Sequence, residues 1–119
     1  NGYADSGIIT FLLILKLVLK SNISFSSLIK PFKIYFQAEE QSIHLKNDYQ
    51  YNTAIEKIKN DYSDKNPKID TLDGIRIDLF DRWISIRKSG TEPVIRLNAE
   101  AITPNILEEE CKKIKSYFQ

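Results

Sequence analysis

The sequence predicts an α+β fold: a four-stranded, mainly antiparallel sheet with two helices on one face, preceded by a separate apolar helix. Three observations support this prediction. Four short segments alternate apolar and polar residues, which is the period of a strand with one buried face. Two longer segments carry apolar residues at helical spacing. Their order along the 119 residues is strand, helix, three strands, helix, so both helices can cover the same face of one sheet.

The first element is a nearly unbroken apolar segment from Ile8 to Leu19, predicted to be a helix. Asp5 or Ser6 is expected to cap its start, and Ser21–Asn22 to end it. The segment is shorter than the roughly 20 residues that a membrane span needs. It also lacks the flanking features of a signal peptide, so neither a span nor a leader is predicted. A helix that is apolar all round is normally buried on several sides.

The domain proper is predicted to begin with a short strand from Ser42 to Lys46. Thr53–Glu56 has the form of a capping box, and Ile58 and Tyr62 follow at helical spacing. An amphipathic helix is therefore expected from Thr53 onward, ending before Asn66–Pro67.

The segments Ile75 to Phe80, Trp83 to Arg87 and Ile95 to Ala101 are predicted to be three consecutive strands. Apolar residues at every second position take the core face, so the intervening polar residues lie opposite. Arg87 and Arg96 are then expected on the same non-core side of adjacent strands, one at each end of the connecting loop. Two converging cations repel each other unless an anion lies between them.

The last helix is predicted to open at Thr103–Pro104, an N-cap followed by a first-turn proline. Glu108–Glu110 near its start and the lysines toward its end suit the helix dipole, so this charge run needs no functional role. The single cysteine excludes an internal disulfide and is expected to be a small buried hydrophobe. The predicted buried stripe is Leu107, Cys111, Ile114 and Phe118.

The charge balance excludes some classes of function. With 17 basic and 16 acidic side chains, the chain has no broad basic field of the kind that nucleic-acid binding requires. His44 has no partner at metal-ligand spacing, so it is expected to be a strand-surface residue and no metal site is predicted. The length fits one domain with an appendage.

The loop between the last two strands contains the groups that bind a phosphate. Arg87 and Arg96 offer planar, multi-donor guanidinium groups, and Ser89 and Thr91 add hydroxyl donors. Gly90 has no Cβ, so its backbone can adopt a positive φ and bring its amide close to a phosphate oxygen. The alternative interpretation is an ordinary hairpin with a polar loop and two solvated arginines.

Over its full length this loop resembles the phosphate-binding loop of the α-D-phosphohexomutases, the phosphomannomutase and phosphoglucomutase enzymes. Their last domain carries Arg-x-Ser-Gly/Asn-Thr-x-Pro followed shortly by Arg, and every position of that motif is filled here. Glu92 is anionic, so it is expected to brace the loop or an arginine and not to contact the phosphate. Other segments resemble the same family in the same order: 3–9, 35–43, 69–76 and 95–101.

The resemblance implies a domain assignment. Residues 1–30 would be the helical end of the third mutase domain, 31–41 an interdomain hinge, and 42–119 the C-terminal phosphate-binding domain. That domain is described as resembling the TATA-binding-protein fold, a likeness of architecture that implies no DNA binding. The family's phosphoserine segment, its Asp-x-Asp-x-Asp magnesium loop and its Gly-Glu-x-Ser-Gly sugar loop do not occur. The chain is therefore expected to be the C-terminal piece of a larger mutase. Its apolar first helix would then lack the sheet of its own domain, so it is expected to pack on the remaining domain, to pair with another copy or to be poorly ordered.

The resemblance also implies a function, the interconversion of hexose 1-phosphate and hexose 6-phosphate through a phosphoserine and a bisphosphate intermediate. This piece would close the cleft and bind the non-reacting phosphate through Arg87, Ser89, Gly90, Thr91 and Arg96. It is expected to be inactive alone, with no catalytic residue, metal or cofactor of its own, whereas Mg²⁺ and the phosphoserine belong to the full-length enzyme. The expected partners are the phosphosugar and the remaining mutase domains, not nucleic acid or a membrane, in the cytoplasm.

Two alternatives stay open. The chain could be the C-terminal domain of a phosphoglucosamine mutase, since the Ser-Gly-Thr-Glu-Pro wording occurs in both branches, although residues 35–43 favour the phosphomannomutase and phosphoglucomutase branch. It could instead be a non-enzymatic interaction domain that docks through its apolar first helix. The sequence does not decide between glucose, mannose and glucosamine.

Overall fold

The chain divides into two compact units, Asn1–Ile34 and Tyr35–Gln119. A computed structural model describes residues 6–119. The alternative helix cap at Asp5 lies outside this range. The assignment of residues 1–30, 31–41 and 42–119 to parts of a mutase stays a prediction.

The first unit contains two helices, α1 (Gly7–Ser21) and α2 (Phe25–Ile29), followed by a short 3₁₀ helix, Lys30–Phe32. The side chain of Ser6 caps α1, because its hydroxyl accepts a hydrogen bond from the Ile9 amide. Asn22, with φ of 53°, ends it in the left-handed conformation. The predicted first helix is thus confirmed.

The apolar side chains of α1 are exposed to solvent, apart from the half-buried Val18. Within the described residues, no side chain of this helix is buried. No single described helix is both long and apolar enough to cross a membrane, and α1 together with Phe25–Phe32 reaches that length only as a pair bent by 103°. The most exposed large apolar residues of α1 are Ile8, Phe11, Leu17 and Leu19.

The second unit is built on an antiparallel sheet. Its strands are β1 (Phe36–Gln37), β2 (Gln41–His44), β3 (Lys68–Asp70), β4 (Ile75–Asp78), β5 (Arg82–Lys88) and β6 (Val94–Ala101). Their order is β1-β6-β5-β4-β3, and β2 also pairs with β6. The predicted α+β class with an antiparallel sheet is confirmed, but there are six strands instead of four. β1 and β3, with two and three residues, are too short to show an alternating pattern.

Helices α3 (Asp48–Ser63) and α4 (Pro104–Ser116) pack on one face of this sheet. The last helix begins as predicted, with the Thr103 hydroxyl accepting from the Ile106 amide. Cys111 is buried and His44 is exposed, again as predicted. The core between helices and sheet contains Ile55, Ile58, Tyr62, Ile75, Ile77, Ile84, Ile86, Ile95, Leu97, Ile114 and Phe118.

The predicted start of α3 at Thr53 is wrong. Asn47 caps the helix, because its side-chain oxygen accepts from the Gln50 amide at 2.9 Å. The Gln50 side chain reaches back and accepts from the Lys46 amide at 2.8 Å. This reciprocal capping satisfies two backbone donors several residues before the motif that the sequence pattern favours, so Thr53 lies inside the helix.

Glu110 has a structural role in the core that its match to the helix dipole does not predict. This side chain is buried and lies 2.5 Å from the Arg82 guanidinium, measured from Oε2 to Nε. The Tyr62 hydroxyl donates to its other oxygen. Burial raises the pKa of the Glu110 carboxyl. A buried ion pair therefore ties α3, β5 and α4 together.

A one-residue bulge separates β1 from β2 along the edge of the sheet. Gln37 lies opposite Glu100 and Gln41 lies opposite Leu97. The three residues 38–40 therefore face only two residues of β6, 98 and 99, which is the count of a β-bulge. An extra residue in a strand changes which face each later side chain takes.

Candidate functional site

Arg87 and Arg96 are direct neighbours across β5 and β6. Cross-strand partners project to the same face, and here that is the face opposite the helices. The structure thus places both arginines where the alternation predicted. They line a cleft of about 500 Å³ together with Asp73, Lys88, Ser89 and Gly90.

The loop that joins these strands is held by short-range hydrogen bonds. The Ser89 amide donates to the Val94 carbonyl at 2.9 Å, and the Val94 amide donates to the Glu92 carbonyl at 2.8 Å. The Thr91 amide donates to the Ser89 hydroxyl oxygen at 3.4 Å. Thr91 does not line the cleft, so of the five predicted phosphate-binding residues the structure brings four together.

Gly90 does not adopt the positive φ that its missing Cβ would allow. Among the described glycines, only Gly74 has a φ in the left-handed range. A Cβ placed on Gly90 would meet no atom within 4 Å. The absence of a side chain at Gly90 therefore leaves the cleft open above the loop.

Gly74 is the glycine that the backbone requires. Its φ is +80°, and a Cβ added there would lie 2.3 Å from the Ile86 carbonyl oxygen and 2.8 Å from Cα of Arg87. No L side chain fits that approach without moving backbone. This close passage of the chain brings the neighbouring residue, Asp73, to the cleft.

Each arginine is paired with a carboxylate from a distant segment. Arg87 Nη1 lies 3.4 Å from Asp73 Oδ2. Arg96 Nη1 donates to Glu40 Oε1 at 2.6 Å, and the Asn98 side-chain amide donates to the other oxygen of Glu40 at 3.1 Å. Glu92 is predicted to brace the loop or an arginine. The arginines pair with Asp73 and Glu40, and the Glu92 backbone carbonyl accepts from the Val94 amide within the loop.

The electrostatics of the site follow from these pairs. Hydrogen bonds from Asn98 and then from Arg96 lower the pKa of the Glu40 carboxyl, so it is an anion at neutral pH. Lys88 is paired at 2.5 Å with Asp48, the first residue of α3. The cleft thus concentrates three cations, each with one carboxylate. An added dianion can contact Arg87 and Arg96 together, which no one of these carboxylates does.

Several residues around the cleft were not predicted from the sequence. Asn98 follows Arg96 by two positions on the same strand, so the period of two could have placed it on the same face. Ser42 is the register partner of Arg96 on the other side, and this depends on strand pairing that the sequence does not show. Asp73 and Glu40 come from far along the chain and carried no local signal.

A second group of polar side chains lies on the same sheet face outside the cleft. Arg76 donates to Asp78 through Nε and Nη2, and its guanidinium stacks 4.6 Å from the centre of the Trp83 ring. The Trp83 ring nitrogen donates to Glu100 at 2.9 Å. Arg76 thus lies on the same sheet face as Arg87 and Arg96 but does not line the cleft.

Residues 6–119 contain no group of three or more His, Cys, Asp or Glu side chains that could hold a metal ion. The carboxylates of the cleft instead contact cationic side chains, as described above. The described residues therefore do not fit a magnesium site.

Comparison with known proteins identifies the family. Residues 35–116 match the family model described as phosphoglucomutase/phosphomannomutase, C-terminal domain. The chain is 36% identical over 115 residues to a phosphoglucosamine/phosphogalactosamine mutase from Sulfurisphaera tokodaii, covering 94% of this chain and 25% of that protein. It is also 36% identical over 115 residues to a phosphomannomutase from Methanocaldococcus jannaschii, covering 97% of this chain and 24% of that protein.

The fold has a counterpart among solved structures. The crystal structure of a phosphoglucomutase/phosphomannomutase family protein from Burkholderia thailandensis superposes with a TM-score of 0.67 at 21% identity, covering 95% of this chain and 23% of that one. The chain spans about a quarter of the length of the relatives it matches. It belongs to the phosphoglucomutase/phosphomannomutase family and contains that family's C-terminal domain.

Proposed function

We propose that this chain supplies the phosphate-binding domain of a phosphohexomutase, which interconverts hexose 1-phosphate and hexose 6-phosphate. The observation that carries the proposal is the cross-strand pair of Arg87 and Arg96 beside a loop rich in hydroxyl and amide donors. Two guanidinium groups on one face, open to solvent, match the charge and the donor geometry that a phosphate ester needs.

The proposed role in the reaction is positioning. Arg87 and Arg96 contact the oxygens of the phosphate that is not reacting, while the Ser89 hydroxyl and the Gly90 amide donate further hydrogen bonds. Thr91 supports the loop through its amide contact with Ser89. Holding one end of the substrate fixes the other end for transfer, and positioning provides a large part of catalysis in phosphoryl transfer.

The reacting groups are proposed to lie in the rest of a longer protein. The phosphoserine and the Mg²⁺ ion that the family uses have no counterpart among residues 6–119, so no bond-making step is assigned to this chain. Magnesium would there stabilise charge on the transferring phosphoryl group. The chain alone is expected to bind phosphate without turnover.

The cleft is proposed to recognise phosphate and not the sugar. Its lining groups are those that bind anions, and no aromatic side chain of the described residues lines it. The relatives include proteins named phosphomannomutase and phosphoglucosamine/phosphogalactosamine mutase, which is consistent with one phosphate cleft serving several sugars. Choice among mannose, glucose and glucosamine would then depend on residues beyond this chain.

An NMR titration of the 119-residue chain with inorganic phosphate tests the proposal. Amide shifts are expected at residues 87–91, at Arg96 and at Asp73, and mannose 6-phosphate is expected to move the same resonances. Replacing Arg96 with alanine removes charge-assisted hydrogen bonds of roughly 1.5–3 kcal/mol each, so phosphate affinity should fall about tenfold or more.

Arg76→Ala is the matched control, because it removes a guanidinium from the same sheet face outside the cleft. Its phosphate affinity should stay within about twofold of the parent chain. Shifts confined to α1, or no shifts at all, would instead favour the interaction-domain alternative. An equal loss in Arg76→Ala and Arg96→Ala would show that only general surface charge is involved.

A further inference from the structure

Glu40 is paired with the Arg96 guanidinium, the same group that the proposed substrate phosphate would contact. Its Oε1 accepts from Arg96 Nη1 at 2.6 Å, and its Oε2 accepts from the Asn98 amide at 3.1 Å. The carboxylate therefore makes a charge-assisted, two-point contact on the sheet face of the cleft. Glu40 belongs to the connection between β1 and β2, 56 residues before Arg96 in the chain.

The register of β2 places Glu40 on this face, and the β-bulge at residues 38–40 joins that register to the one of β1. Gln37 pairs with Glu100, whose side chain lies on the open face, so regular alternation from Gln37 would send residue 40 toward the helices. The extra residue reverses the alternation, and Gln41 consequently pairs with Leu97 of the core face. Bulges commonly re-aim a side chain next to a functional site.

The contact between Glu40 and Arg96 is accessible to a competing anion. The Arg96 and Glu40 side chains are 37% and 38% exposed. An ion pair at that exposure is weak, since water screens it and two flexible side chains must be ordered to form it. Asp73 holds Arg87 in the same way but more loosely, at 3.4 Å and with 76% of its own side chain exposed.

We propose that Glu40 is an internal counter-anion of the cleft, which a phosphate dianion displaces from Arg96 on binding. This inference rests on the proposed function, and it adds that Glu40 lowers the affinity of the cleft for phosphate. Before a ligand binds, Glu40 holds Arg96 on the open face and neutralises part of its charge. A dianion that reaches Arg87 and Arg96 together replaces the single carboxylate and sends it into solvent.

Such an arrangement suits a site whose ligand must leave as well as bind. A bisphosphate intermediate that presents first one phosphate and then the other has to release the cleft between the two steps. A carboxylate that returns to Arg96 lowers the free energy of the empty cleft and therefore weakens phosphate binding. If the Glu40 carboxylate instead only orients Arg96 for phosphate, then removing that carboxylate should weaken phosphate binding.

Phosphate titrations of the chain and of Glu40→Gln separate these roles. Glutamine keeps the size of the side chain and removes its charge, so the phosphate dissociation constant should fall by about threefold or more. Glu39→Gln is the matched control, because it removes the same charge from the adjacent residue, and no ion pair of Glu39 is found among the described residues. Its dissociation constant should change by less than about twofold.

A second measurement uses the unaltered chain, so it does not depend on a variant folding. The side-chain carboxyl ¹³C resonance of Glu40 should move during the phosphate titration with the same dissociation constant as the amides of residues 88–90. A Glu40 resonance that stays fixed while the loop amides shift would overturn the inference.

The two proposals fail in different ways. If the unaltered chain shows no shifts in residues 87–91 with phosphate, the proposed function fails and this inference fails with it. If the unaltered chain binds phosphate in the loop but Glu40→Gln binds equally or more weakly, only the displacement by phosphate is wrong. An equal gain in Glu39→Gln and Glu40→Gln would also overturn it, because general charge would then be the cause.

Discussion

Arg87 and Arg96 lie directly opposite each other on two neighbouring strands, a relationship that is destabilising for like charges. Asp73 and Glu40 each pair with one of these arginines. A like-charged pair that binds an anion but lowers the stability of the fold is expected at a binding site. Replacing Arg87 with threonine, a good strand former, should raise the free energy of unfolding by about 0.5 kcal/mol in phosphate-free buffer. Urea unfolding followed by the fluorescence of Trp83, the single tryptophan, measures this.

The same variant should lose its response to ligand. Added phosphate stabilises a chain that binds it in the folded state, by an amount that grows with the ratio of its concentration to the dissociation constant. The unaltered chain and Arg76→Thr should both show this increment, and Arg87→Thr should not. An identical increment in all three would mean that phosphate acts as a general stabilising salt.

Gly74 and Gly90 should respond very differently to alanine. Gly74→Ala forces a Cβ to within 2.3 Å of the Ile86 carbonyl oxygen at a φ of +80°, so we expect a loss of about 2–3 kcal/mol in unfolding free energy. Gly90→Ala meets open space and should change it by less than about 0.5 kcal/mol. Denaturant unfolding of both variants checks this pair, and similar losses would contradict the described backbone.

The start of α3 gives a direct comparison between sequence and structure. Asn47→Ala removes the side chain that accepts from the Gln50 amide and should cost about 1 kcal/mol. Thr53 is exposed inside the helix, so Thr53→Ala should be neutral or stabilising by a few tenths of a kcal/mol. Thermal or urea unfolding distinguishes them. A larger loss of unfolding free energy in Thr53→Ala than in Asn47→Ala would instead support the helix start at Thr53 that the sequence predicted.

The buried pair of Arg82 and Glu110 should show strong coupling. Glu110→Ala leaves the Arg82 charge, 15% exposed, paired only with Asp81 and should cost about 2 kcal/mol. The double variant Arg82→Met with Glu110→Leu should recover part of that loss, because neither buried charge remains and only the partly exposed Asp81 loses its partner. Glu108→Ala is the control, since its pair with Lys112 is exposed and should contribute less than about 0.5 kcal/mol. Additive losses in the double variant would refute the coupling.

Asn98 should control the ionisation of Glu40. Its hydrogen bond is the main cause that lowers the pKa of Glu40 below the usual value of 4.5. Asn98→Ala should therefore raise that pKa, which a pH titration of the Glu40 carboxyl by NMR would record. Because the pKa is lower in the folded state, the pair stabilises the fold above pH 4.5 and loses that effect as the pH falls through the folded-state pKa. An unchanged pKa in Asn98→Ala would contradict this assignment.

The parts of the fold that follow from local patterns were predictable. Period-two alternation in β5 and β6 is sufficient to place Arg87 and Arg96 on one face. The cap and proline at Thr103 and Pro104 fixed the start of α4. These features depend on residues that lie close together in the chain, so local sequence patterns predict them.

The parts that depend on distant contacts or on irregular backbone were not predictable. Glu40 lies on the face of Arg96 because the next residue, Gln41, pairs with Leu97 of the core face, and this register depends on strand pairing. Nothing in residues 38–40 indicates the extra residue of the bulge. Glu110 lies beside the stripe of α4, and its burial requires Arg82 and Tyr62 from other elements. Gly74 is distinguished from Gly90 only by where the neighbouring strand passes.

The three-residue count of the segment 38–40 has a consequence for comparing family members. A family member with one residue fewer there could pair regularly along both β1 and β2, because two residues would then face residues 98 and 99 of β6. The residue just before Gln41 would still lie on the open face beside Arg96. A one-residue gap in an alignment at this point is therefore compatible with the same anion site, and the acidic position is found by counting back from the strand that pairs with Arg96 and not forward from β1.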